Sequence, residues 1–468
     1  MEHQTNRRQF IKQGLMAAGA AAVASHGGML LTGCSEKEPV KITIADTGLA
    51  FESEPLIRPF GFKGGFMTEI WQTASMLRST SGNHAVGLCT QNVLWSDAKV
   101  FSSNSEQAGN ALMYSLTDKA MRLLIGATFT DPVELLDRIF PEVYDYGCKV
   151  TSNPGLRKTF ALNALVGVDN AVWLLYAKEN GISSFDGLIP RAYRPALSHR
   201  HKKVAAIPLM AYNIPVNEIS EATMQGYFFM KIKIGQPGTQ EEMLEKDKER
   251  LSAIHMAIGE VRTPHTQNGR LPYYFDANGR YEKKETLMKL LDHAREIGAF
   301  DQIAIIEEPF AEELEIDVSD IPVRLASDES AHTVEDAVKR IEMGYKAIAL
   351  KAIAKTLSMT MKIAQAAHER NIPCFCADLT VNPILIEWNK NVAARLASFP
   401  GIGDLGLVES NGHQNYAGWN RMLSYHPRKD APWVQAKEGL YELNREFYRT
   451  GGGIFDPSPH YEEMFTGV

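Results

Sequence analysis

The chain has 468 residues, of which 44% are hydrophobic and 22% are charged. A chain of this length and composition can form two or three domains whose cores need no disulfide or metal to hold them. The net charge of −7 argues against the basic surface that a nucleic-acid-binding protein needs, so no nucleic-acid partner is expected.

The first 34 residues are predicted to be an export signal and not part of the fold. Asn6–Lys12 contains the pair Arg7-Arg8 and resembles a twin-arginine motif, an Ala-rich apolar region follows, and Leu31–Cys34 resembles a lipobox. In such a signal the cysteine, Cys34, is acylated and becomes the mature N-terminus. We therefore expect a lipoprotein of the periplasm or cell envelope, exported by the twin-arginine route and held at a membrane by its lipid anchor. The alternative is a short buried helix after a basic tail.

Residues 35–195 are predicted to form an N-terminal α+β domain. Val40–Ile44 has the character of a strand, Phe60–Gly65 is a glycine-rich loop, and Phe160–Leu175 has the apolar spacing of a helix. The glycines of the loop suit a hinge and an ordinary turn equally well.

A buried strand is predicted at Phe228–Gly235, and it carries two lysines. Lys231 and Lys233 are two residues apart, so both side chains point to the same side of the strand. A buried lysine is costly unless its charge or its proton is used. The alternative is a solvated edge strand with two outward-facing lysines.

Each of the next four predicted strands ends in a charged residue, which turn or helix-cap chemistry alone does not explain well. These residues are Asp276, Glu307, Asp328 and Lys351. Helices alternate with the strands, which implies a parallel sheet with right-handed connections. In an α/β barrel the carboxyl ends of the strands converge on one mouth, where active sites are built. Three carboxylates at that mouth would form a site for a hard cation of the Mg²⁺ type.

The same residues carry a resemblance to the enolase superfamily, in its muconate-lactonising and dipeptide-epimerase subgroup. The matching segments are Lys231-Ile232-Lys233, Asp276-Ala277-Asn278, Glu307-Glu308-Pro309, Asp328-Glu329-Ser330 and Lys351. The resemblance spans roughly residues 40 to 410. It implies an α/β fold, with a (β/α)7-8 TIM-type barrel over residues 196–420 and residues 35–195 as an N-terminal capping domain. Residues 421–468 would pack on the barrel or on the cap.

The resemblance also implies a reaction, in which one Mg²⁺ per site works with a lysine base. The metal ligands would be Asp276, Glu307 and Asp328. Lys233 and Lys351 would remove and return the proton α to a carboxylate, through a metal-stabilised enediolate, and both would need lowered pKa values. Lys231 would neutralise the developing oxyanion. This pairing suits a racemase or epimerase that acts on a small-molecule carboxylate such as a dipeptide or amino-acid derivative, and a homo-oligomer is compatible with it.

Two later strands bear on the substrate. The predicted seventh strand ends at Asp378 and lacks the histidine of the mandelate-racemase-like dehydratases. The eighth strand carries Glu409 at the place where many dipeptide epimerases have an Asp-x-Asp pair that holds the substrate ammonium. The candidate substrate-binding residues are Glu409, Asn278 and Asp378. Two alternatives remain open. One is a dehydratase or cycloisomerase on the same site, and the other is a non-catalytic, lipid-anchored binding protein on the same barrel.

Overall fold

The structure is a computed structural model that describes residues 38–62 and 65–466. The predicted export signal, with Arg7, Arg8 and Cys34, lies outside the described residues. All described strands and helices lie within the compact unit Pro39–Val468.

The described part of the chain alternates strands and helices over most of its length. The strands are β1 (Ile42–Phe62), β2 (Gly65–Ser79), β3 (His84–Gln91), β4 (Thr128–Phe129), β5 (Lys203–Ile207), β6 (Leu209–Met210), β7 (Met230–Lys233), β8 (Tyr273–Asp276), β9 (Ile303–Glu307), β10 (Leu325–Ser327), β11 (Ala347–Leu350), β12 (Cys374–Cys376), β13 (Gly406–Glu409) and β14 (Leu440–Glu442). The helices are α1 (Val93–Ser96), α2 (Ala98–Ser102), α3 (Glu106–Leu124), α4 (Pro132–Val150), α5 (Lys158–Asn180), α6 (Phe185–Leu188), α7 (Val216–Met224), α8 (Gln240–Ile258), α9 (Lys284–Glu296), α10 (Val334–Glu342), α11 (Ala352–Lys355), α12 (Leu357–His368), α13 (Ile386–Ala393), α14 (Gly412–Asn415), α15 (Trp419–Ser424), α16 (Arg445–Thr450) and α17 (Pro459–Glu463).

The capping domain, β1–β4 with α1–α5, is an antiparallel sheet covered by helices. Its strands lie in the order β3-β2-β1-β4, and α5 packs across β3 and β2 as the core helix. Although α5 is long and apolar enough to cross a membrane, 89% of its most apolar stretch is buried inside the protein, as expected of a core helix. The helix approaches the sheet closely at Gly87, because a Cβ there would lie 2.1 Å from the carbonyl oxygen of Gly167.

The second sheet closes into a parallel barrel. Its order is β14-β5-β13-β12-β11-β10-β9-β8-β7-β6, and its two ends meet because β5 and β6 are separated by the single residue Pro208. Proline lacks the N–H that would continue the ladder. On one side of this interruption β5 pairs with β13, and on the other β6 pairs with β7. The described residues thus form an eight-stranded barrel with a capping domain, and the predicted fold is confirmed.

The C-terminal segment contacts both domains. Strand β14 adds to β5 in antiparallel orientation, outside the parallel set. Farther along, Tyr461 in α17 is buried in a small apolar cluster with Ala74 and Leu88 of the cap and Ile384 of the barrel. The segment therefore helps to hold the cap against the barrel.

Candidate active site

Strand register aligns the first three charged groups of the site. In the parallel pairs β7–β8 and β8–β9, Lys233 lies opposite Asp276 and Asp276 lies opposite Glu307. Lys231 precedes Lys233 by two residues and shares its face. All four side chains are buried, so the edge-strand alternative for the two lysines is wrong.

Lys231 lies at the centre of the carboxylate cluster. Its Nζ is 3.0 Å from Asp276 Oδ2, 2.8 Å from Glu307 Oε1 and 3.3 Å from Glu409 Oε2. The second oxygen of Glu307 accepts a hydrogen bond from the hydroxyl of Tyr274. One ammonium group thus joins carboxylates from three different strands.

Lys233 pairs with the same oxygen of Asp276 as Lys231 does. Its Nζ lies 2.6 Å from Asp276 Oδ2 and donates to Asn278 Oδ1. Asn278 in turn donates from Nδ2 to Glu329 Oε1 at 3.0 Å. The backbone of Asn278 is left-handed, with φ 46°, a conformation that asparagine tolerates better than most residues. The loop after β8 therefore directs the Asn278 amide at Lys233.

Lys351 and Asp328 form the opposite part of the mouth. Lys351 Nζ lies 2.6 Å from Asp328 Oδ2 and 4.3 Å from the centre of the Trp95 ring, a cation–π distance. One helical turn later, Lys355 donates to the carbonyl oxygens of Asp328 and Ala331, at 2.6 and 3.0 Å. Both lysines are buried.

The remaining candidate residues are held by one another. Glu409 Oε2 accepts the backbone N–H of Asp378 at 2.9 Å, and Glu409 Oε1 accepts Nδ2 of Asn411 at 3.0 Å. Asp378 Oδ2 accepts the backbone N–H of Asn411 at 2.8 Å. This arrangement braces the ends of β12 and β13 against each other.

Two opposing effects set the pKa values in the cluster: burial, which disfavours the charged forms, and close pairing of opposite charges, which favours them. Burial alone would lower the pKa of Lys231, but the carboxylates of Asp276, Glu307 and Glu409 raise it well above its ordinary value. Burial opposes ionisation of Asp276, yet Lys231 and Lys233 lower its pKa to about 2. Burial raises the pKa of Glu307 well above its ordinary value, and the charge of Lys231 only partly opposes this.

One electrostatic expectation is corrected by the geometry. Lys351 was expected to have a lowered pKa, and burial does act in that direction, but the adjacent Asp328 carboxylate outweighs burial and raises the pKa. The same contact, together with Lys355, lowers the pKa of Asp328 despite its burial. In this arrangement, therefore, Lys351 is a paired ammonium.

The carboxylates at the mouth have the chemistry of a Mg²⁺ site. Glu307, Asp328 and Glu329 each offer an oxygen within 4.8 Å of the other two, and Asp276 reaches Glu307 through their shared contact with Lys231. Asp328 Oδ1 is buried and accepts no hydrogen bond. A carboxylate oxygen that binds a metal ion would have this environment when the ion is absent. Oxygen-only donors are the set that Mg²⁺ prefers. Glu307 and Asp328 thus fit the ion together with Glu329, which the sequence had placed only within a motif, whereas Asp276 does not belong to this group and stays a predicted ligand.

A small cavity of about 40 Å³ lies over these groups. Eight of the nine predicted barrel residues line it, and Glu307 lies directly beneath, bound to Lys231. The cap supplies the other wall with Phe60, Met67, Asn92 and Trp95. Trp95 and Asn92 are not predicted from the sequence, because they reach the mouth only through domain packing. Lys355 is not predicted either, although its spacing of four residues from Lys351 indicates that the two lysines share a helix face.

Comparison with known proteins gives concordant results. Residues 216–429 match the family model described as enolase C-terminal domain-like. The o-succinylbenzoate synthase of Bacillus subtilis (strain 168) is 26% identical over 328 residues, which is 68% of this chain and 74% of that protein.

Solved structures share the fold at low identity. The dipeptide epimerase of Enterococcus faecalis V583, complexed with Mg and the dipeptide L-Leu-L-Tyr, has a TM-score of 0.55 and 16% identity over 78% of this chain and 90% of its own. The N-succinyl Arg/Lys racemase of Bacillus cereus ATCC 14579 has a TM-score of 0.58 and 15% identity over 81% and 89%.

Proposed function

We propose that this enzyme removes and returns the proton α to a carboxylate. The premise is that residues 216–429 belong to the enolase C-terminal domain-like family. The proposed activity is that of a Mg²⁺-dependent racemase or epimerase acting on a small molecule. The observation that carries this proposal is the placement of two buried lysines on opposite sides of one cavity.

The barrel order supports that placement. Lys233 ends β7 and Lys351 follows β11. Three strands separate them in one direction, β8, β9 and β10, and three separate them in the other, β12, β13 and the interrupted strand β5–β6. An α-carbon held between the two lysine side chains would present one face to each. A lysine in its neutral form could take the proton from its face, while the other lysine, as an ammonium, supplies a proton to the opposite face.

The acids between the lysines would hold the metal ion. Asp276, Glu307 and Asp328 are the proposed ligands, and Mg²⁺ bound there would supply Lewis-acid stabilisation of negative charge on the substrate carboxylate. Lys231 adds a fixed positive charge at the base of the cavity, where its contacts with Glu307 and Glu409 hold it in place.

The hydrogen bonds of the far wall favour a substrate without a free α-ammonium group. Glu409 already accepts hydrogen bonds from Lys231, Asn411 and the Asp378 backbone. Burial raises the pKa of Asp378 to about 7, and the nearby Glu409 charge acts in the same direction, so Asp378 is a weak partner for an ammonium near neutral pH. We therefore propose an N-acylated amino acid, or another carboxylate with a neutral α-substituent, ahead of an unmodified dipeptide.

A second candidate is elimination of water from the same kind of intermediate. The similarity to an o-succinylbenzoate synthase, which aligns over 74% of its own length, favours this second candidate, because its name denotes a synthase and not a racemase or epimerase. Elimination needs only one base, and it releases a leaving group where a racemase would return a proton.

Exchange in D₂O tests the proposal. A panel of N-acyl amino acids, dipeptides and other carboxylates is incubated with enzyme and Mg²⁺, and α-deuterium is read by mass spectrometry for each enantiomer. Lys233→Ala should reduce exchange of one enantiomer by about 10²- to 10⁴-fold, the usual contribution of a general base, and Lys351→Ala should do the same for the other. Lys362→Ala is the matched control, since Lys362 is a partly exposed lysine that pairs with Asp137 and does not line the cavity.

The proposal fails if both lysine variants lose exchange of the same enantiomer, or if the product is unsaturated. A one-base elimination would then describe the site. Absence of exchange across the whole panel, with Mg²⁺ bound, would instead favour the binding-protein alternative.

A further inference from the structure

A second group of metal-type ligands lies at the opposite end of the barrel from the mouth. His199 and His201 precede β5, and Asp404 precedes β13. These two strands pair in parallel, with Gly406 opposite Val204, so their starting ends lie side by side. One ligand atom from each of the three residues lies within 4.8 Å of the other two.

The backbone fixes where the two histidines point. The N–H groups of His199 and His201 donate to the carbonyl oxygens of Arg395 and Ala394, each at 3.0 Å. Arg200, between them, is directed elsewhere and pairs with Asp186. Both imidazoles therefore converge on one carboxylate oxygen, Asp404 Oδ1, at 2.8 Å for His199 Nε2 and 2.9 Å for His201 Nδ1.

The hydrogen bonds of the His201 ring indicate that a positive charge belongs between this ring and Asp404 Oδ1. Its side chain is fully buried, and its Nε2 lies 3.0 Å from the carbonyl oxygen of Leu396. A carbonyl only accepts, so Nε2 carries a proton and donates it. In a neutral ring, Nδ1 then bears a lone pair aimed at the lone pairs of Asp404 Oδ1. That contact is favourable only with a positive centre at the shared point, either a second proton on the buried ring or a metal ion.

We propose that His199, His201 and Asp404 bind a divalent transition-metal ion of the Zn²⁺ type. Two imidazole nitrogens and one carboxylate oxygen are a donor set that zinc accepts, with water in the fourth position. The Leu396 carbonyl that orients His201 is the outer hydrogen-bond partner usual for a metal-bound histidine. Because the side chains of His199 and Asp404 are 40% and 72% exposed, an ion can enter from solvent.

The position of this site indicates a structural role. It joins the start of the first barrel strand to the start of the last, where the cylinder closes. Features at the N-terminal end of a TIM-type barrel serve stability, whereas chemistry is carried out at the other end. The proposed metal would thus stabilise the contact between the first and last barrel strands, and it is independent of the Mg²⁺ site at the mouth.

Zinc titration of the full chain tests the proposal. Protein stripped with a chelator is titrated with Zn²⁺ by calorimetry in excess Mg²⁺, which keeps the mouth occupied. Co²⁺ titration adds the visible absorption of a four-coordinate ion. His199→Ala and Asp404→Asn change partly exposed side chains, and circular dichroism checks that both variants fold. His460→Ala is the matched control, because His460 Nε2 pairs with a single carboxylate, Glu52, at 2.9 Å.

The expected result is one zinc equivalent in the wild type and in His460→Ala that is lost or weakened in the two site variants. The weakening should be at least the roughly 10- to 100-fold that loss of an outer partner costs a metal site. If the wild type binds no zinc in excess Mg²⁺, or if both site variants bind it as the wild type does, the proposal is overturned and the cluster is a protonated histidine–aspartate network.

Discussion

Replacement of Asp169 by asparagine should change how the stability of this protein depends on pH. Asp169 lies on α5 of the cap and holds the start of α12 of the barrel. Its Oδ1 accepts the hydroxyl of Ser358 at 2.6 Å and its Oδ2 accepts the Ser358 N–H at 3.1 Å. The indole Nε1 of Trp173 donates to the same hydroxyl at 3.0 Å. Asparagine has the same shape and can keep a hydrogen bond to Ser358.

The sign and size follow from the pKa of this carboxyl group. Burial raises the pKa of Asp169 from 3.8 to about 7, although the hydrogen bonds from Ser358 act in the opposite direction. Between about pH 4 and about pH 7 the folded protein therefore holds a proton that the unfolded chain has released, and stability falls as pH rises. At about 1.36 kcal/mol for each pKa step, the whole loss is about 4 kcal/mol.

Urea unfolding at a series of pH values measures this effect. The free energy of unfolding of Asp169→Asn minus that of the wild type should rise by about 4 kcal/mol between about pH 4 and about pH 7, then level off. Asp317→Asn is the control, because hydrogen bonds from Ser319 lower the pKa of this exposed aspartate, which confines its pH dependence to more acid solution. A difference for Asp169→Asn that stays flat or falls over this range would refute the reasoning.

Three further predictions concern the mouth, the N-terminus and the cap. Neutral replacement of each proposed metal ligand should abolish activity and weaken Mg²⁺ binding in calorimetry while circular dichroism stays unchanged; full activity in any one variant would remove that residue from the metal site. These variants are Asp276→Asn, Glu307→Gln and Asp328→Asn. Replacement of the twin arginines should trap precursor in the cytoplasm and replacement of the lipobox cysteine should block lipid attachment, as read by cell fractionation and mass spectrometry; an intact N-terminus on soluble cytoplasmic wild-type protein would contradict both. These variants are Arg7→Lys with Arg8→Lys, and Cys34→Ser. Gly87→Ala should destabilise the cap by about 1 to 3 kcal/mol or more in urea unfolding, because its Cβ would meet the backbone of α5. Gly155→Ala, whose Cβ would meet only Asn153 Oδ1 at 3.7 Å, should change stability little.

The barrel was predictable because its strands follow a simple pattern. Short apolar runs such as β8 and β9 end in one charged residue each, and the parallel order brings those ends to one mouth. The cap hairpin was not predictable in the same way. The sequence indicated a strand only at Val40–Ile44, yet β1 runs to Phe62. Gly48, Pro55 and Pro59 interrupt the strand pattern, and pairing with β2, which shifts register between Pro55 and Phe60, overrides them.

The fine electrostatics of the mouth depend on distances that no sequence pattern contains. Lys351 and Lys355 are four residues apart, both are buried, and their pKa values move in opposite directions. Burial lowers the pKa of Lys355, whose Nζ binds two carbonyl oxygens and lies 3.7 Å from Asp328 Oδ1. Lys351 Nζ lies 2.6 Å from Asp328 Oδ2, and Coulomb attraction at the shorter distance exceeds the cost of burial. The spacing predicts that both lysines share a face, but the direction in which each pKa moves depends on the difference between 2.6 and 3.7 Å in their distances from Asp328.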